Sequence, residues 1–165
     1  MHWDDDNLEV FITEKYPWFL DVYKNYDINI KRYDISRAFL LHHYGGIYAD
    51  MDYLAISNFY DDLSPDKVSI CESPLKDWEH LTNALMASPI KNKFWLLVID
   101  ECYKYQKEHV VLATGPKLIT KTYDMYPDLV YVLPFNIYYP RETDPDTDII
   151  KGKHLITGTW WNIYY

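Results

Sequence analysis

The sequence predicts an α/β fold, in which helices cover the faces of a β-sheet. Short apolar segments of strand length, such as residues 68–71 and 129–133, alternate with longer segments of helical periodicity, such as residues 94–105. The chain has 165 residues, a length typical of one domain, and no linker-like stretch divides it. We therefore expect one domain over residues 1–165, with ligands bound beyond the carboxyl ends of its strands.

Residues 1–26 predict two helices. In the first, Asp5 or Asp6 is the expected N-cap, because acidic side chains suit the positive end of a helix. The second is expected over residues 18–26, with Pro17 at its start. The predicted inner faces carry Leu8, Phe11 and Ile12 in the first helix, and Trp18, Phe19 and Val22 in the second.

Residues 35–44 predict an amphipathic helix whose apolar side chains recur at intervals of three and four residues: Ile35, Ala38, Phe39 and Leu41. Asp34 and Arg37 are three residues apart and therefore share one face at one end of this helix. Gly45 and Gly46 end it, one of them in the left-handed conformation. Residues 47–49 then predict a short strand.

Asp50 and Asp52 follow this strand. Side chains alternate along an extended chain, so we expect both carboxylates on one side and Met51 on the other. Two converging carboxylates suit Mg²⁺ or Mn²⁺, and such a metal can hold a diphosphate. An isolated Asp-x-Asp is weak evidence, because it recurs by chance in solvated loops.

The remaining chain predicts further strands and helices in alternation. Strands or extended segments are expected over residues 53–59, 68–71, 129–133 and 137–140. Helices are expected over residues 78–87, 94–105 and 116–123, the last beginning with Pro116. Residues 141–148, with four acidic side chains, predict a mobile loop over the cleft.

Composition excludes some classes of function. A net charge of −9 argues against a surface that follows nucleic-acid phosphates. No run is long enough for a transmembrane helix, and no signal peptide opens the chain, so we expect a soluble protein or a soluble piece of an anchored one. Its location, in the cytoplasm or at a membrane compartment that builds glycans, stays open. Cys71 and Cys102 are expected as buried free thiols.

Residues 34–52 combine Asp-x-x-Arg, an apolar helix, Tyr-Gly-Gly-Ile-Tyr and Asp-x-Asp in that order. This order resembles the DXD-containing sugar transferases, among them the yeast initiating mannosyltransferase, the inositol-phosphoceramide mannosyltransferases and capsular-polysaccharide transferases. The resemblance implies a GT-A-like nucleotide-diphospho-sugar transferase fold. The family's usual N-terminal strand is not visible in this sequence, so we expect the fold to be abbreviated at its N-terminus.

The resemblance also implies roles for individual residues. Asp50 and Asp52 would be the catalytic pair and would hold Mn²⁺ or Mg²⁺ together with His154. The implied donor-binding residues are Asp34, Arg37, Tyr48 and Trp160, and those on the acceptor side are Asn83 and Gly115. Structural roles stay open for three of these: Asn83 as a backbone bridge, Gly115 as a plain helix start and His154 as a buried structural residue.

The function implied is metal-dependent transfer of a hexose from a nucleotide-diphospho-sugar to a glycan or glycolipid acceptor, with retention of configuration. Mannose, galactose, glucose and N-acetylglucosamine are all compatible. Two alternatives are a degenerate, non-catalytic binding module and a metal-dependent hydrolase. Glycosidases place their two carboxyl groups roughly 5 to 9.5 Å apart across the scissile bond, which argues against the hydrolase, since Asp50 and Asp52 are expected on one side.

Overall fold

The computed structural model describes residues 3–75 and 80–157. Its centre is a mixed four-stranded sheet with the order β1-β4-β3-β5. The strands are β1 (Gly46–Ala49), β3 (Val68–Glu72), β4 (Leu81–Ser88) and β5 (Val130–Leu133). β4 is antiparallel to both of its neighbours, and β3 is parallel to β5. The predicted α/β class is therefore confirmed.

A separate two-stranded ribbon brings residues 152–154, near the end of the described chain, next to the segment that follows Asp52. Strand β2 (Tyr53–Ala55) pairs in antiparallel register with β6 (Gly152–His154). Tyr53 lies opposite His154 in this register. The ribbon thereby brings His154 close to the two aspartates that precede β2.

Helices cover the sheet and are joined by an aromatic-rich core. They are α1 (Asp5–Lys15), α2 (Leu20–Lys24), α3 (Asn29–Tyr44), α4 (Lys93–Tyr105), α5 (Val110–Ala113), α6 (Pro116–Met125) and α7 (Phe135–Tyr138). Helix α3 packs on α4, and α6 packs on β4. Among the largest fully buried side chains are Trp95, Phe19, Phe39 and Phe94. No helix within the two described ranges combines the length and hydropathy needed to cross a bilayer.

Helix α3 confirms the predicted helix and extends it by a turn and a half. It begins at Asn29, so Asp34 and Arg37 lie within the helix and not at its end. The apolar side chains predicted for its inner face are buried: Ile35, Ala38, Phe39 and Leu41. Gly45 follows with a φ of +66°, and a Cβ there would lie 2.8 Å from the Ile90 nitrogen. Only glycine fits this position, because both the conformation and the space exclude a side chain.

The N-terminal helices differ from the prediction in two details. The N-cap of α1 is Asp4, not Asp5 or Asp6, and its side chain accepts from the Asn7 N–H in a reciprocal capping box. The predicted helix over residues 18–26 is a 3₁₀ turn at Pro17–Phe19 followed by the short helix α2. This change of pitch leaves Trp18 53% exposed, and Tyr23 is buried instead.

The helix predicted over residues 78–87 is wrong, because residues Leu81–Ser88 form strand β4. β4 lies between β1 and β3, and all of its residues except Asn83 are buried. A strand covered on both faces shows a continuous apolar run without alternation, and periodicity alone cannot distinguish such a run from a buried helix.

The extended segment predicted over residues 137–140 is also wrong. Pro134 supplies an extended N-cap, after which residues Phe135–Tyr138 form the short helix α7. The Tyr139 N–H closes it by donating to the Phe135 carbonyl at 2.7 Å. The four-residue helix is too short for a periodic signal, and Ile137, Tyr138 and Tyr139 are residue types that strands favour. The predictions of β3, α4, α6 and β5 are confirmed within two residues at each end, and Cys71 and Cys102 are buried free thiols.

Candidate metal and donor site

Asp50 and Asp52 are brought together by a tight turn at the end of β1. The Asp50 N–H donates to the Ala84 carbonyl on β4 at 2.9 Å, and the Tyr53 N–H donates back to the Asp50 carbonyl at 2.9 Å. Met51 at the tip is fully exposed. The sequence predicts that the two carboxylates converge because side chains alternate along a strand. That reason is wrong, because residues 50–53 form a turn and not an extended strand.

Two side chains hold one oxygen of the Asp50 carboxylate. The Tyr48 hydroxyl donates to Oδ1 at 2.7 Å. Nη1 of Arg37 forms an ion pair with the same oxygen at 3.2 Å. Oδ1 of Asp50 is therefore satisfied within the protein, whereas Oδ2 faces the imidazole of His154 at 3.7 Å.

Arg37 organises this side of the site from helix α3. Its Nη2 pairs with Oδ1 of Asp34 at 3.0 Å, and its Nη1 also donates to the Asn83 carbonyl at 3.3 Å. The guanidinium carbon lies 4.6 Å from the centre of the Tyr48 ring. Burial lowers the pKa of Arg37, but the carboxylates of Asp34 and Asp50 outweigh burial and raise it, so Arg37 stays charged.

Asp34 is the buried member of the group. Burial raises the pKa of its carboxyl group to about 6, against the opposing effect of Arg37 and with a further contribution from Asp50. A carboxyl group with such a pKa changes its charge near neutral pH. Its position beside Arg37 and Asp50 places this change next to the candidate metal site.

His154 reaches the aspartates across the β2–β6 ribbon. Its Nε2 lies 3.0 Å from Oδ1 of Asp52, and the ring of Tyr139 packs edge-on against the imidazole at a centroid distance of 5.0 Å. Nδ1 of His154 is buried, and no hydrogen-bond partner lies near it in the described part of the chain.

Thr157 and Tyr139 are two residues of this site that the sequence did not predict. The N–H and the hydroxyl of Thr157 each donate to Oδ2 of Asp52 at 2.9 Å. Burial raises the pKa of Asp52, but these two bonds and the His154 imidazole outweigh it and lower the pKa below its ordinary value. The only sequence signal for Thr157 was its position three residues after His154, and Tyr139 gave none.

Asp50, Asp52 and His154 together offer three ligand atoms that all lie within 4.8 Å of one another. Two carboxylates and one imidazole are ligands that divalent cations accept. The structure thus brings together, around this group, the predicted residues Asp34, Arg37 and Tyr48.

Two other predicted residues, Asn83 and Gly115, contribute no side chain to this group. Asn83 on β4 reaches it through its backbone carbonyl, which accepts from Arg37. Gly115 lies at the start of α6, where its N–H donates to the Val110 carbonyl and a Cβ would approach the Val111 Cα to 3.0 Å. These contacts fit tight packing against α5, and an acceptor-side role for Gly115 stays a prediction. Trp160 lies outside the described residues.

The chain is similar in sequence to known glycosyltransferases. Residues 1–70 match the model of the glycosyltransferase sugar-binding region containing DXD motif. Over 75% of its length the chain is 32% identical to mannosyl phosphorylinositol ceramide synthase CSH1 of Saccharomyces cerevisiae, of which it covers 34%. Over 82% of its length it is 29% identical to inositol phosphoceramide mannosyltransferase 1 of Schizosaccharomyces pombe, of which it covers 45%. The chain thus spans between a third and a half of the length of these relatives.

A solved structure titled PaToxG Glycosyltransferase has a similar fold. The TM-score is 0.56 at 22% sequence identity, over 72% of this chain and 44% of that one. This likeness confirms the predicted glycosyltransferase type of α/β fold. The predicted resemblance to the DXD-containing sugar transferases is confirmed as well, by the family model over residues 1–70 and by the yeast relative over three quarters of the chain.

Proposed function

We propose that this chain is the catalytic domain of a metal-dependent glycosyltransferase, which moves a hexose from a nucleotide-diphospho-sugar to a glycolipid or glycan acceptor. The names of the yeast relatives favour mannose as the sugar and inositol phosphoceramide as the acceptor. The observation that carries the proposal is the convergence of Asp50, Asp52 and His154 within 4.8 Å, with the charged Arg37 beside them.

The donor set fits a divalent cation. Carboxylate oxygens suit Mg²⁺ and Mn²⁺, and an imidazole is a ligand more typical of transition metals, which favours Mn²⁺. The three residues come from two separate segments of the chain, a turn after β1 and the end of β6. When bound, Mn²⁺ or Mg²⁺ would neutralise the negative charge that develops on the departing nucleoside diphosphate.

The chain's own residues prepare this site by holding the ligands in place. Tyr48 and Arg37 occupy Oδ1 of Asp50 and leave Oδ2 turned toward His154. Asp34 and Arg37 form a buried ion pair beside the aspartates, and we propose that this pair contacts the donor sugar and phosphates. An arginine already fixed by protein contacts loses little side-chain freedom when a donor binds.

We propose that transfer retains the anomeric configuration, as the family resemblance implies. The site has carboxylates for a metal, but the sequence shows no convincing nucleophile that could form a covalent glycosyl intermediate. Without such a nucleophile, we expect the acceptor hydroxyl to attack the donor sugar from the same face that the nucleoside diphosphate leaves. The stereochemistry of the product, read by NMR, tests this part of the proposal directly.

A thermal-shift screen tests the proposed donor and metal. The 165-residue chain is mixed with GDP-mannose, UDP-galactose, UDP-glucose or UDP-N-acetylglucosamine, each with Mn²⁺, with Mg²⁺ and with EDTA. A ligand at about 100 times its dissociation constant should stabilise the fold by roughly 2.7 kcal/mol. Stabilisation by one donor that requires the metal supports the proposal, whereas no response to any donor contradicts it.

Product analysis separates the transferase from its two alternatives. The donor that binds is incubated with inositol phosphoceramide or with a simple glycoside as acceptor. Formation of a new glycoside identifies a transferase, and release of free sugar without a glycoside identifies a hydrolase. Metal-dependent donor binding without either product identifies a binding module.

A further inference from the structure

Residues 155–157 form an irregular segment with an unusual backbone conformation. Ile156 has a φ of +49°, in the left-handed region that β-branched residues avoid. Strained conformations of this kind persist where surrounding contacts impose them, and they concentrate at functional sites. The side chain of Ile156 is 40% exposed, so its own packing is not a sufficient reason for the strain.

The residues on either side of Ile156 both donate hydrogen bonds to Asp52. The Leu155 N–H donates to the backbone carbonyl of Asp52 at 2.9 Å. One residue after Ile156, the N–H and the hydroxyl of Thr157 both donate to Oδ2 of the same aspartate at 2.9 Å. The left-handed conformation of Ile156 thus allows the residues on either side of it to donate hydrogen bonds to both the backbone carbonyl and the carboxylate of Asp52.

These hydrogen bonds give the two carboxylate oxygens of Asp52 different partners. Oδ2 accepts two hydrogen bonds from Thr157, and Oδ1 faces Nε2 of His154 at 3.0 Å. A carboxylate without such partners rotates and can offer a cation either oxygen or both. With Oδ2 held, Asp52 presents Oδ1 toward His154.

We propose that Thr157 is a positioning residue, which holds Oδ2 of Asp52 so that Oδ1 alone is presented as a ligand for the divalent cation. The left-handed backbone conformation of Ile156 positions the N–H and the hydroxyl of Thr157 to donate to this oxygen. This proposal rests on the proposed metal-dependent function. Residues that hydrogen-bond to metal ligands commonly change the affinity for the metal by 10- to 100-fold, although they do not touch it.

A titration of the 165-residue chain with Mn²⁺, followed by the EPR signal of the free ion, measures the effect without reference to activity. Thr157→Val keeps the shape of the side chain but removes its hydroxyl, and we expect Mn²⁺ binding about tenfold weaker. Thr157→Ser restores the hydroxyl and should restore the affinity to within about twofold of the parent. A structural role alone would not produce this rescue.

Thr13→Val is the matched control. Thr13 is exposed on α1, and its hydroxyl donates to the Glu9 carbonyl at 2.7 Å, so the same hydrogen-bonding group is lost at a site without aspartate ligands. Its Mn²⁺ affinity should equal that of the parent. Melting temperatures of the metal-free variants show whether any loss of affinity reflects loss of the fold.

Two changes at Ile156 test the role of its backbone conformation separately. Ile156→Gly accepts a positive φ and should keep the Mn²⁺ affinity of the parent. Ile156→Pro fixes φ near −65°, which is incompatible with the φ of +49° at this position, and should weaken Mn²⁺ binding at least as much as Thr157→Val. The proline variant leaves every side chain that contacts Asp52 chemically unchanged.

The outcomes distinguish this proposal from the function on which it rests. Absence of Mn²⁺ binding by the parent chain overturns both. Binding by the parent that Thr157→Val and Ile156→Pro leave unchanged overturns the positioning role alone. Weaker binding by both variants, with rescue by Thr157→Ser and full affinity in Ile156→Gly, supports it.

Discussion

The guanidinium of Arg37 lies 3.2 Å from the carboxylate of Asp50, and this contact joins the middle of helix α3 to the end of strand β1. The same guanidinium pairs with Asp34, three residues before it on the helix. One buried cation thus neutralises two carboxylates, of which only Asp50 belongs to the candidate metal group. Arg37 therefore links the buried Asp34 to a member of the candidate metal group.

Removal of this cation should be strongly destabilising. Arg37→Met keeps much of the apolar bulk but leaves the buried Asp34 carboxylate without its partner, so we expect a loss of about 3–5 kcal/mol in the free energy of unfolding. Urea denaturation at pH 8 measures this loss. The double variant Asp34→Asn, Arg37→Met should recover part of it, because no uncompensated buried charge remains there. A double variant as unstable as the single one would contradict this explanation.

The pKa of Asp34 predicts a specific dependence of stability on pH. Burial raises that pKa from an ordinary 3.8 to about 6, so the protonated form favours the folded state. The contribution of Asp34 is complete below about pH 4 and is lost as the pH rises through about 6. Relative to the parent, Asp34→Asn should therefore gain up to about 3 kcal/mol between pH 4 and pH 7, at about 1.4 kcal/mol per pKa unit.

Urea denaturation of both proteins at several pH values checks this prediction. The informative quantity is the difference in the free energy of unfolding between them, because the titration of the other groups largely cancels in it. A difference that is constant from pH 4 to pH 7 would show that Asp34 is ionised throughout. A difference that falls with rising pH would reverse the sign of the proposed shift.

The two aspartates of the motif can be tested together. Asp50→Asn with Asp52→Asn keeps both shapes but removes the two negative charges that a hard cation prefers, so Mn²⁺-dependent donor binding should be nearly abolished. We also expect a modest loss of stability without metal, on the order of 1–2 kcal/mol, because the contacts with Arg37 and Thr157 weaken. Melting temperatures with and without Mn²⁺ plus donor measure both effects.

Asp61→Asn with Asp66→Asn is the control for this pair, since both side chains are exposed and the change in net charge is the same. This control should keep the full shift in melting temperature with Mn²⁺ and donor. If Asp50→Asn with Asp52→Asn also kept the full shift, the assignment of the transferase site to these residues would be wrong.

Trp160 is the subject of a prediction from the sequence alone. If it closes over the donor diphosphate, as the family resemblance implies, Trp160→Ala should weaken donor binding more than it lowers the melting temperature. Isothermal titration with the preferred donor and a thermal melt of the free chain provide the two measurements. Equal losses in both would identify Trp160 as an ordinary core residue.

The sequence by itself determined the segments whose signals are local. The spacing of Ile35, Phe39 and the neighbouring apolar residues predicts the inner face of α3. The two glycines that follow predict the end of the helix. The motif from Asp34 to Asp52 lies within a single stretch of 19 residues, so a resemblance read from that stretch already indicated the type of fold. Periodicity and turn chemistry act between near neighbours, and they are visible without a structure.

The family resemblance named His154, but only the tertiary structure shows how this distant residue reaches the aspartates. His154 lies 102 residues after Asp52, and only the pairing of β6 with β2 brings the two within hydrogen-bond distance. The same pairing brings Thr157 next to Asp52. The proposed role of Thr157 depends on the left-handed backbone of Ile156, which the local sequence does not predict. The sequence predicts a helix where β4 lies, because burial on both faces removes the alternation that marks a strand. Such features follow from long-range pairing, in which the partner and not the local sequence determines the conformation.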